Sequence, residues 1–131
     1  LQAHESEEIN QGRHFLAQKN DEGETRYCCL GVAMKMFCDR NPKAFTLEES
    51  VNKAVDDTVI NFVDQNGIKS RGALSEIVMD YFGFRGSLGD FADNQWIEGQ
   101  VCLSGLNDAY FGFKEIANIV RENPGAVFRD S

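Results

Sequence analysis

The segment Tyr27-Cys28-Cys29-Leu30-Gly31 constrains the fold most, because an extended stretch runs into a helix there with two adjacent thiols at the junction. Apolar residues recur at helical spacing from 30 to 38, which predicts a buried helix face. Successive side chains of an extended stretch point to opposite sides, so we expect one thiol to be more buried than the other. We choose Cys28 as the buried thiol, since Cys29 lies closer to the helix N-terminus, whose dipole favours a thiolate.

The other apolar patterns predict a single α+β domain, in which about five helices pack with a few short strands. A chain of 131 residues can bury a core as one domain, and residues 1–8 are a candidate disordered arm. The segment 58–63 is interpreted as a strand because of its β-branched residues, with a continuing helix as the alternative. The remaining predicted elements are helices over 5–18, 46–55, 74–82, 103–108 and 113–120, extended segments over 26–29 and 100–103, and a long loop over 84–99.

Local signals mark several helix ends. Thr46 and Glu49 have the spacing of a capping box, in which a hydroxyl and a carboxylate satisfy free backbone amides at a helix start. Asn41-Pro42 stops the helix over 30–38, and Gly83 stops the helix over 74–82. We expect three apolar stripes to pack together as the core, because each is one apolar face that needs a partner. The stripes are Leu30, Met34 and Phe37; Ile77, Val78 and Phe82; and Ile116, Ala117 and Val120.

Charge and composition exclude several classes of function. The net charge is −8, and we expect no nucleic-acid partner because phosphate binding needs clustered Lys and Arg. No apolar run approaches the roughly 18 residues that span a membrane. The acidic N-terminal stretch also lacks the pattern of a signal peptide. We therefore expect a cytoplasmic protein with no membrane partner and with four reduced cysteines.

Cysteine and histidine provide the candidate catalytic chemistry. The cysteines at 28, 29, 38 and 102 include no Cys-x-x-Cys pair, and we expect no metal site and no cofactor. A base such as His14 beside Cys29 would activate the thiol, as in papain-like enzymes, where a helix begins with the catalytic cysteine. In those enzymes the histidine follows the cysteine, whereas both histidines of this chain precede it. Cys29 and His14 are catalytic candidates on this ground, with a packed thiol and a surface side chain beside Arg13 as the alternatives.

Besides Cys28 and Cys29, three residues are candidate ligand contacts. Asn107 and Asp108 lie between two helical segments, where they form a turn or contact a ligand. Trp96, the single tryptophan, lies in the long predicted loop, and such loops often carry function. Segments 103–108 and 113–117 have the outline of a helix-turn-helix. The second segment is charge-balanced, however, which favours a plain αα-corner over DNA recognition.

Three motifs recur in an order that resembles a known family. They are Tyr27-Cys28-Cys29-Leu30-Gly31-Val32; Leu74-Ser75-Glu76-Ile77-Val78 running into Tyr81-Phe82-Gly83-Phe84; and 103–108 followed by Phe113-Lys114-Glu115-Ile116-Ala117. Together they resemble an uncharacterised family of short phage and bacterial proteins over residues 9 to 122. The chain departs from that family at Ser75, where proline is usual, and at Tyr110-Phe111-Gly112, where Gly-x-Ser is usual. The resemblance implies a fold unit and a phage-like origin rather than an activity.

The leading interpretation is a small cytoplasmic binding or accessory protein of phage type, which acts on a host protein or a small molecule. One alternative is an enzyme that uses Cys28 or Cys29 as a thiolate, and another is a structural module of a larger assembly. Binding is favoured over catalysis, because the sequence supplies no clear base, oxyanion hole or metal site. The identity of the partner and the formation of a homo-oligomer stay open.

Overall fold

The computed structural model describes residues 10–53 and 57–129. Within them, five α-helices pack with a six-stranded sheet, which confirms the predicted α+β class. The candidate arm, residues 1–8, lies outside the described residues. The strands are β1 (Asn10–Gln11), β2 (Ala17–Lys19), β3 (Thr25–Tyr27), β4 (Phe45–Asn52), β5 (Asp57–Asp64) and β6 (Lys69–Ser70). The helices are α1 (Cys29–Arg40), α2 (Glu76–Phe82), α3 (Leu103–Asp108), α4 (Phe113–Glu122) and α5 (Pro124–Val127), with a 3-10 turn at Ala92–Asn94.

The sheet is built around the long hairpin of β4 and β5, which pair antiparallel from Phe45 opposite Asp64 to Asn52 opposite Asp57. The strand order is β1-β3-β2-β5-β4, and β6 also pairs with β5. Because β4 pairs with β5 along its whole length, β2 and β6 share the opposite edge of β5. The strand predicted over 58–63 is confirmed as part of β5.

The helix predicted over 46–55 is wrong, because residues 45–52 form β4. A capping interaction of the kind expected from Thr46 and Glu49 stabilises a helix by only about 1 kcal/mol. The strand instead gains eight paired positions with β5. Glu49 forms an ion pair with Lys19 of β2, whose Nζ lies 3.0 Å from Oε2. Residues 54–55 of the predicted helix lie outside the described residues.

Two further predictions near chain turns are wrong. The described part of the helix predicted over 5–18 contains β1 and β2, because these segments find hydrogen-bond partners in β3 and β5. The strand predicted over 100–103 is reduced to isolated bridges at Gln100 and Cys102, and Leu103 already begins α3. The extended segment predicted over 26–29 is confirmed as far as Cys28, whereas Cys29 is the first residue of α1.

The other predicted helices agree with their local end signals. The N–H of Asn41 bonds to the carbonyl of Phe37 and closes α1. Gly83 closes α2 with a φ of 79°, in the left-handed region that favours glycine. The helix predicted over 113–120 is confirmed as α4, which ends before Pro124, and α5 is a further turn that was not predicted. No helix in the described part of the chain combines the length and apolarity needed to cross a bilayer.

The predicted stripes meet in one core, with Ile77 as the exception. Phe37 is buried, and its ring centroid lies 5.9 Å from that of Phe45 and 5.1 Å from that of Tyr81. The prediction for Ile77 is wrong, since this side chain is 45% exposed on a helix of only seven residues. Phe82 is half-buried against the core. The other buried members of the stripes are Leu30, Met34, Val78, Ile116, Ala117 and Val120.

Candidate functional site

The junction of β3 and α1 holds Cys28 as an N-cap, with an extended backbone at φ −76° and ψ 173°. Its Sγ accepts a hydrogen bond from the Gly31 N–H at 3.4 Å, and its own N–H donates to the Leu16 carbonyl at 3.2 Å. Gly31 allows this close approach, because a Cβ there would lie 1.7 Å from the Leu16 carbonyl oxygen. The start of α1 is therefore pressed directly onto the chain that leads into β2.

Both adjacent thiols are buried, and the choice of Cys28 as the more buried of the two is wrong. Cys28 is 5% exposed and Cys29 is fully buried. The alternation rule fails because only Cys28 is extended, whereas Cys29 already belongs to the helix. The Sγ of Cys29 donates to the Leu103 carbonyl of α3 at 3.6 Å. The thiol therefore contributes to the packing of α1 against α3.

Burial controls the ionisation of these thiols. It raises the pKa of Cys28 to about 11, and the hydrogen bond from the Gly31 N–H lowers that pKa by less. Burial likewise raises the pKa of Cys29 well above its ordinary value, and the neighbouring Cys28 raises it further. A buried thiol with a raised pKa is a poor nucleophile near neutral pH. The helix N-terminus does not offset the loss of hydration here.

Asn107 connects three separate segments from inside the core, where it is fully buried. Its Oδ1 accepts hydrogen bonds from Nε2 of Gln11 at 2.8 Å and from the N–H of Cys29 at 3.1 Å. Its Nδ2 donates to the carbonyl of Gly12 at 2.8 Å. Of the two interpretations considered for this residue, ligand contact is disfavoured, because the amide is used to tie the N-terminal strand to the start of α1.

Asp108, the next residue, points outward and holds His14. The Oδ1 of Asp108 accepts a hydrogen bond from the His14 N–H at 3.0 Å, and Oδ2 lies 3.4 Å from the ring Nδ1. The His14 side chain is 65% exposed, and its backbone has a φ of 73°. The candidate pair of His14 and Cys29 is not formed: the imidazole lies at the surface beside Asp108, as in the alternative interpretation, and the thiol is buried against α3.

Arg13 and Tyr110, which were not predicted as site residues, lie beside this pair. The guanidinium carbon of Arg13 lies 4.1 Å from the centroid of the Tyr110 ring. Tyr110 is 75% exposed and has a φ of 71°, which is rare for a bulky residue. The Nε of Arg13 is buried without a hydrogen-bond partner. No local sequence pattern signals this contact, because the two residues are far apart in the chain.

Trp96 is 72% exposed and precedes a tight hairpin in which Ile97 and Gln100 exchange backbone hydrogen bonds of 2.9 and 3.0 Å. Both central residues of this turn, Glu98 and Gly99, have positive φ. The Gln100 side chain lies against Gly105 of α3, where a Cβ would be 2.4 Å from its Oε1.

The Trp96 hairpin and the His14 turn contact the same face of α3. Gly105 contacts the hairpin and Asp108 contacts His14, and residues three apart on a helix are neighbours on its surface. The two segments therefore lie against positions of α3 that are one helical turn apart. We call the resulting set of residues the α3 surface: Arg13, His14, Trp96, Asp108 and Tyr110.

A cleft of about 490 Å³ lies elsewhere, between the turn after β5 and the start of α2. Its lining includes Ile68, Ser70, Leu74 and Ile77, and none of the site residues predicted from the sequence. A cleft of this volume is within the usual range for small-molecule sites, about 300–1,000 Å³. Among the described residues, no group of three His, Cys, Asp or Glu side chains is arranged to hold a metal ion.

The motifs behind the family resemblance occupy structural positions in this fold. The Cys-Cys-Leu-Gly motif forms the start of α1, and the Leu-Asn-Asp motif forms the end of α3. Comparison with family models, with curated proteins and with solved structures gives no significant match. The relationship to short phage and bacterial proteins stays a prediction.

Proposed function

We propose that the chain is a small cytoplasmic binding protein of phage type, and that it contacts a host protein through the α3 surface. The resemblance of its motifs to short phage and bacterial proteins supports the choice of a host partner. The four free thiols at 28, 29, 38 and 102 agree with a reducing compartment.

The observation that carries the proposal is the distribution of unusual backbone conformations. In the described residues, the non-glycine positions with positive φ are His14, Asp93, Glu98 and Tyr110. Asp93 and Glu98 lie on either side of Trp96 in the chain. His14 donates its N–H to Asp108, and Tyr110 lies two residues after Asp108. Such conformations cost on the order of 1–3 kcal/mol each for residues that favour other regions, and they cluster at functional sites. All four therefore support the segments that present the α3 surface.

The side chains of the α3 surface have the composition of a protein interface. Trp96 and Tyr110 expose most of their area, and Arg13 lies on the Tyr110 ring. Tryptophan, tyrosine and arginine are the residue types that contribute most often to binding energy at interfaces. An aromatic ring held by a constrained backbone also loses little conformational freedom when it binds. These features favour a protein partner for this surface.

The cleft beside α2 supports a second candidate, a small-molecule ligand. Its volume suits such a ligand, and Ile68 and Ile77 expose apolar area at its walls. The thiolate-enzyme alternative has less support, because both Cys28 and Cys29 are buried and have raised pKa values.

Two double variants distinguish these candidates. Trp96→Ala with Tyr110→Ala removes the aromatic rings of the α3 surface, and Ile68→Ala with Ile77→Ala removes exposed apolar groups at the cleft. Each tagged protein is expressed in bacterial cells, and co-purified proteins are quantified by mass spectrometry alongside unfolding curves of the purified variants. We expect a partner retained by the native chain and by the cleft variant to be lost from the α3-surface variant. Retention of that partner by a folded α3-surface variant would overturn the proposal, and its loss from the cleft variant alone would favour the cleft.

A further inference from the structure

We infer that Arg13, flanked by His14, binds a single carboxylate group of the protein partner. The inference rests on the proposed function, since it assigns the chemistry of the partner at the α3 surface. It concerns a single charged contact and can be tested with an acidic peptide alone.

The first support is the lack of an acceptor for the Arg13 guanidinium. Its Nε is buried without a hydrogen-bond partner, and among the described residues no carboxylate forms an ion pair with Arg13. A guanidinium carries five N–H donors and remains charged at all ordinary pH values. Arg71 and Arg129, by contrast, have side-chain acceptors: Arg71 donates to Asn61, and Arg129 donates to Asp80. The buried Nε is closed to an outside group, so an incoming acceptor would bind the terminal NH2 groups of Arg13, to which no described carboxylate is paired.

The second support is the orientation of this group. The guanidinium carbon lies over the Tyr110 ring, 4.1 Å from its centroid, so the ring shields the guanidinium on that side. The N–H donors lie in the plane of the guanidinium and project from its edge, where they match the two oxygens of a carboxylate. The Tyr110 ring therefore fixes the position of the Arg13 guanidinium and leaves its terminal N–H groups available to an acceptor.

His14, the next residue in the chain, adds a second polar group to the α3 surface. Its Nδ1 lies 3.4 Å from the Asp108 carboxylate, which orients the imidazole and leaves Nε2 for another contact. In the imidazolium form Nε2 is an N–H donor. The backbone of His14 is also held, because its N–H donates to Asp108 at 3.0 Å.

The charge of the surroundings favours a carboxylate over a phosphate. The chain has a net charge of −8, and Asp108 lies beside the proposed site. A phosphate carries more negative charge than a carboxylate and is repelled more strongly by these groups. A single guanidinium edge is sufficient for one planar carboxylate.

The test is an NMR titration of the isotopically labelled full chain with two short capped peptides. The acidic probe is acetyl-Gly-Glu-Gly-amide, which carries one carboxylate, and the matched neutral probe is acetyl-Gly-Gln-Gly-amide. We expect a saturable shift of the Arg13 Nε–H signal and of the Tyr110 amide with the acidic probe only. Inorganic phosphate serves as the third probe. Equal shifts with both peptides, or a response to phosphate without one to the acidic peptide, would overturn the carboxylate assignment.

Variants locate the contact and separate this inference from the proposed function. Arg13→Gln should abolish the signal shifts caused by the acidic probe. Arg13→Lys keeps the positive charge but lacks the paired N–H donors of a guanidinium, and it should weaken the affinity for that probe by about tenfold. Arg85→Gln is the matched control, because Arg85 donates to the Gly125 carbonyl away from this surface. A folded Arg13→Gln chain that binds the acidic probe as well as the native chain does would contradict the inference. If the Arg13→Gln chain still captures the partner and the Trp96/Tyr110 variant does not, only the carboxylate inference is contradicted. If the Trp96/Tyr110 variant still captures the partner, the proposed function is contradicted.

Discussion

Individual side chains at the start of α1 show how burial determines their chemistry. Cys28 accepts a hydrogen bond from a helix N-terminal amide, an arrangement that favours a thiolate, yet burial raises its pKa to about 11. Cys28 therefore caps the helix as a neutral thiol. Asn107 is equally buried, and it is stable there because both its oxygen and its nitrogen have hydrogen-bond partners.

The raised thiol pKa predicts that stability falls in alkaline solution. The unfolded chain loses the Cys28 proton near the ordinary value of 9.0, whereas the folded chain keeps it until about pH 11. In that window the unfolded state binds fewer protons, so the free energy of unfolding decreases as pH rises, by about 2 kcal/mol for this group. Urea unfolding between pH 7.5 and pH 11 measures the slope. Cys28→Ser keeps a capping oxygen without the thiol, and an identical slope in this variant would rule out Cys28 as its source.

Replacement of Asn107 tests its role as a buried connector. Asn107→Ala leaves the Cys29 N–H and the Gly12 carbonyl without their present partner. We expect the free energy of unfolding to fall by about 3 kcal/mol, since buried unpaired polar groups cost about 1–3 kcal/mol each. Asn118→Ala, on the exposed side of α4, is the control and should change stability by less than about 0.5 kcal/mol. Similar losses of unfolding free energy in the Asn107→Ala and Asn118→Ala variants would contradict a connecting role for Asn107.

At the scale of elements, the packing of α1 on the chain leading into β2 depends on backbone contact. The N–H of Cys28 bonds to the Leu16 carbonyl, and Gly31 leaves no side chain between the helix and that carbonyl. The Cys-Cys-Leu-Gly motif is therefore explained by packing: a capping thiol, a buried thiol, an apolar core residue and a glycine at the closest approach.

Gly31→Ala tests this close approach. The added Cβ would lie 1.7 Å from the Leu16 carbonyl oxygen, so the backbone of α1 or of the segment before β2 must shift. We expect a loss of about 3 kcal/mol or more in urea unfolding, because overpacking against backbone is poorly relieved. Gly112→Ala is the matched control, since its nearest neighbour would be 3.6 Å away, and it should cost about 1 kcal/mol or less. A Gly31→Ala chain as stable as the control would show that the helix start is not tightly packed.

At the scale of the whole molecule, the overall charge is unfavourable for binding nucleic acid. The net charge is −8. In the described part of the chain, four cations form ion pairs with carboxylates: Lys19, Lys35, Lys69 and Arg129. The exposed charges of α4 are two positive, Lys114 and Arg121, and two negative, Glu115 and Glu122. A helix of this kind lacks the net positive charge that a recognition helix needs near phosphates.

We therefore expect no binding to duplex DNA at about 0.15 M salt, a prediction for a gel shift at micromolar protein. A variant with Glu115→Gln and Glu122→Gln makes the exposed face of α4 positive and serves as a comparison. A clear shift with the native chain would contradict the charge argument and favour the helix-turn-helix interpretation of α3 and α4.

Local sequence determined the helices α1, α2, α3 and α4, because helical hydrogen bonds join residues four apart and the end signals lie within the same few residues. The β-branched content of 58–63 likewise indicated β5. For 46–55 the local signal misled, since the apolar spacing and capping box favour a helix while pairing with β5 favours a strand. Strand pairing joins residues distant in sequence, and a local pattern does not contain the partner.

In the candidate site, too, local sequence indicated some residues and tertiary contacts decided the rest. The sequence indicated Asn107, Asp108 and Trp96 as candidate contact residues by residue type and by their place between helices or in a loop. It did not indicate that Asp108 holds His14, 94 positions earlier in the chain, or that Arg13 lies on Tyr110. Tertiary structure alone decided these contacts, and it also buried Cys28 and Cys29, which local pattern had suggested as reactive. Burial and long-range contact depend on what the rest of the chain places around a residue, and that arrangement exists only once the sheet and helices have packed together.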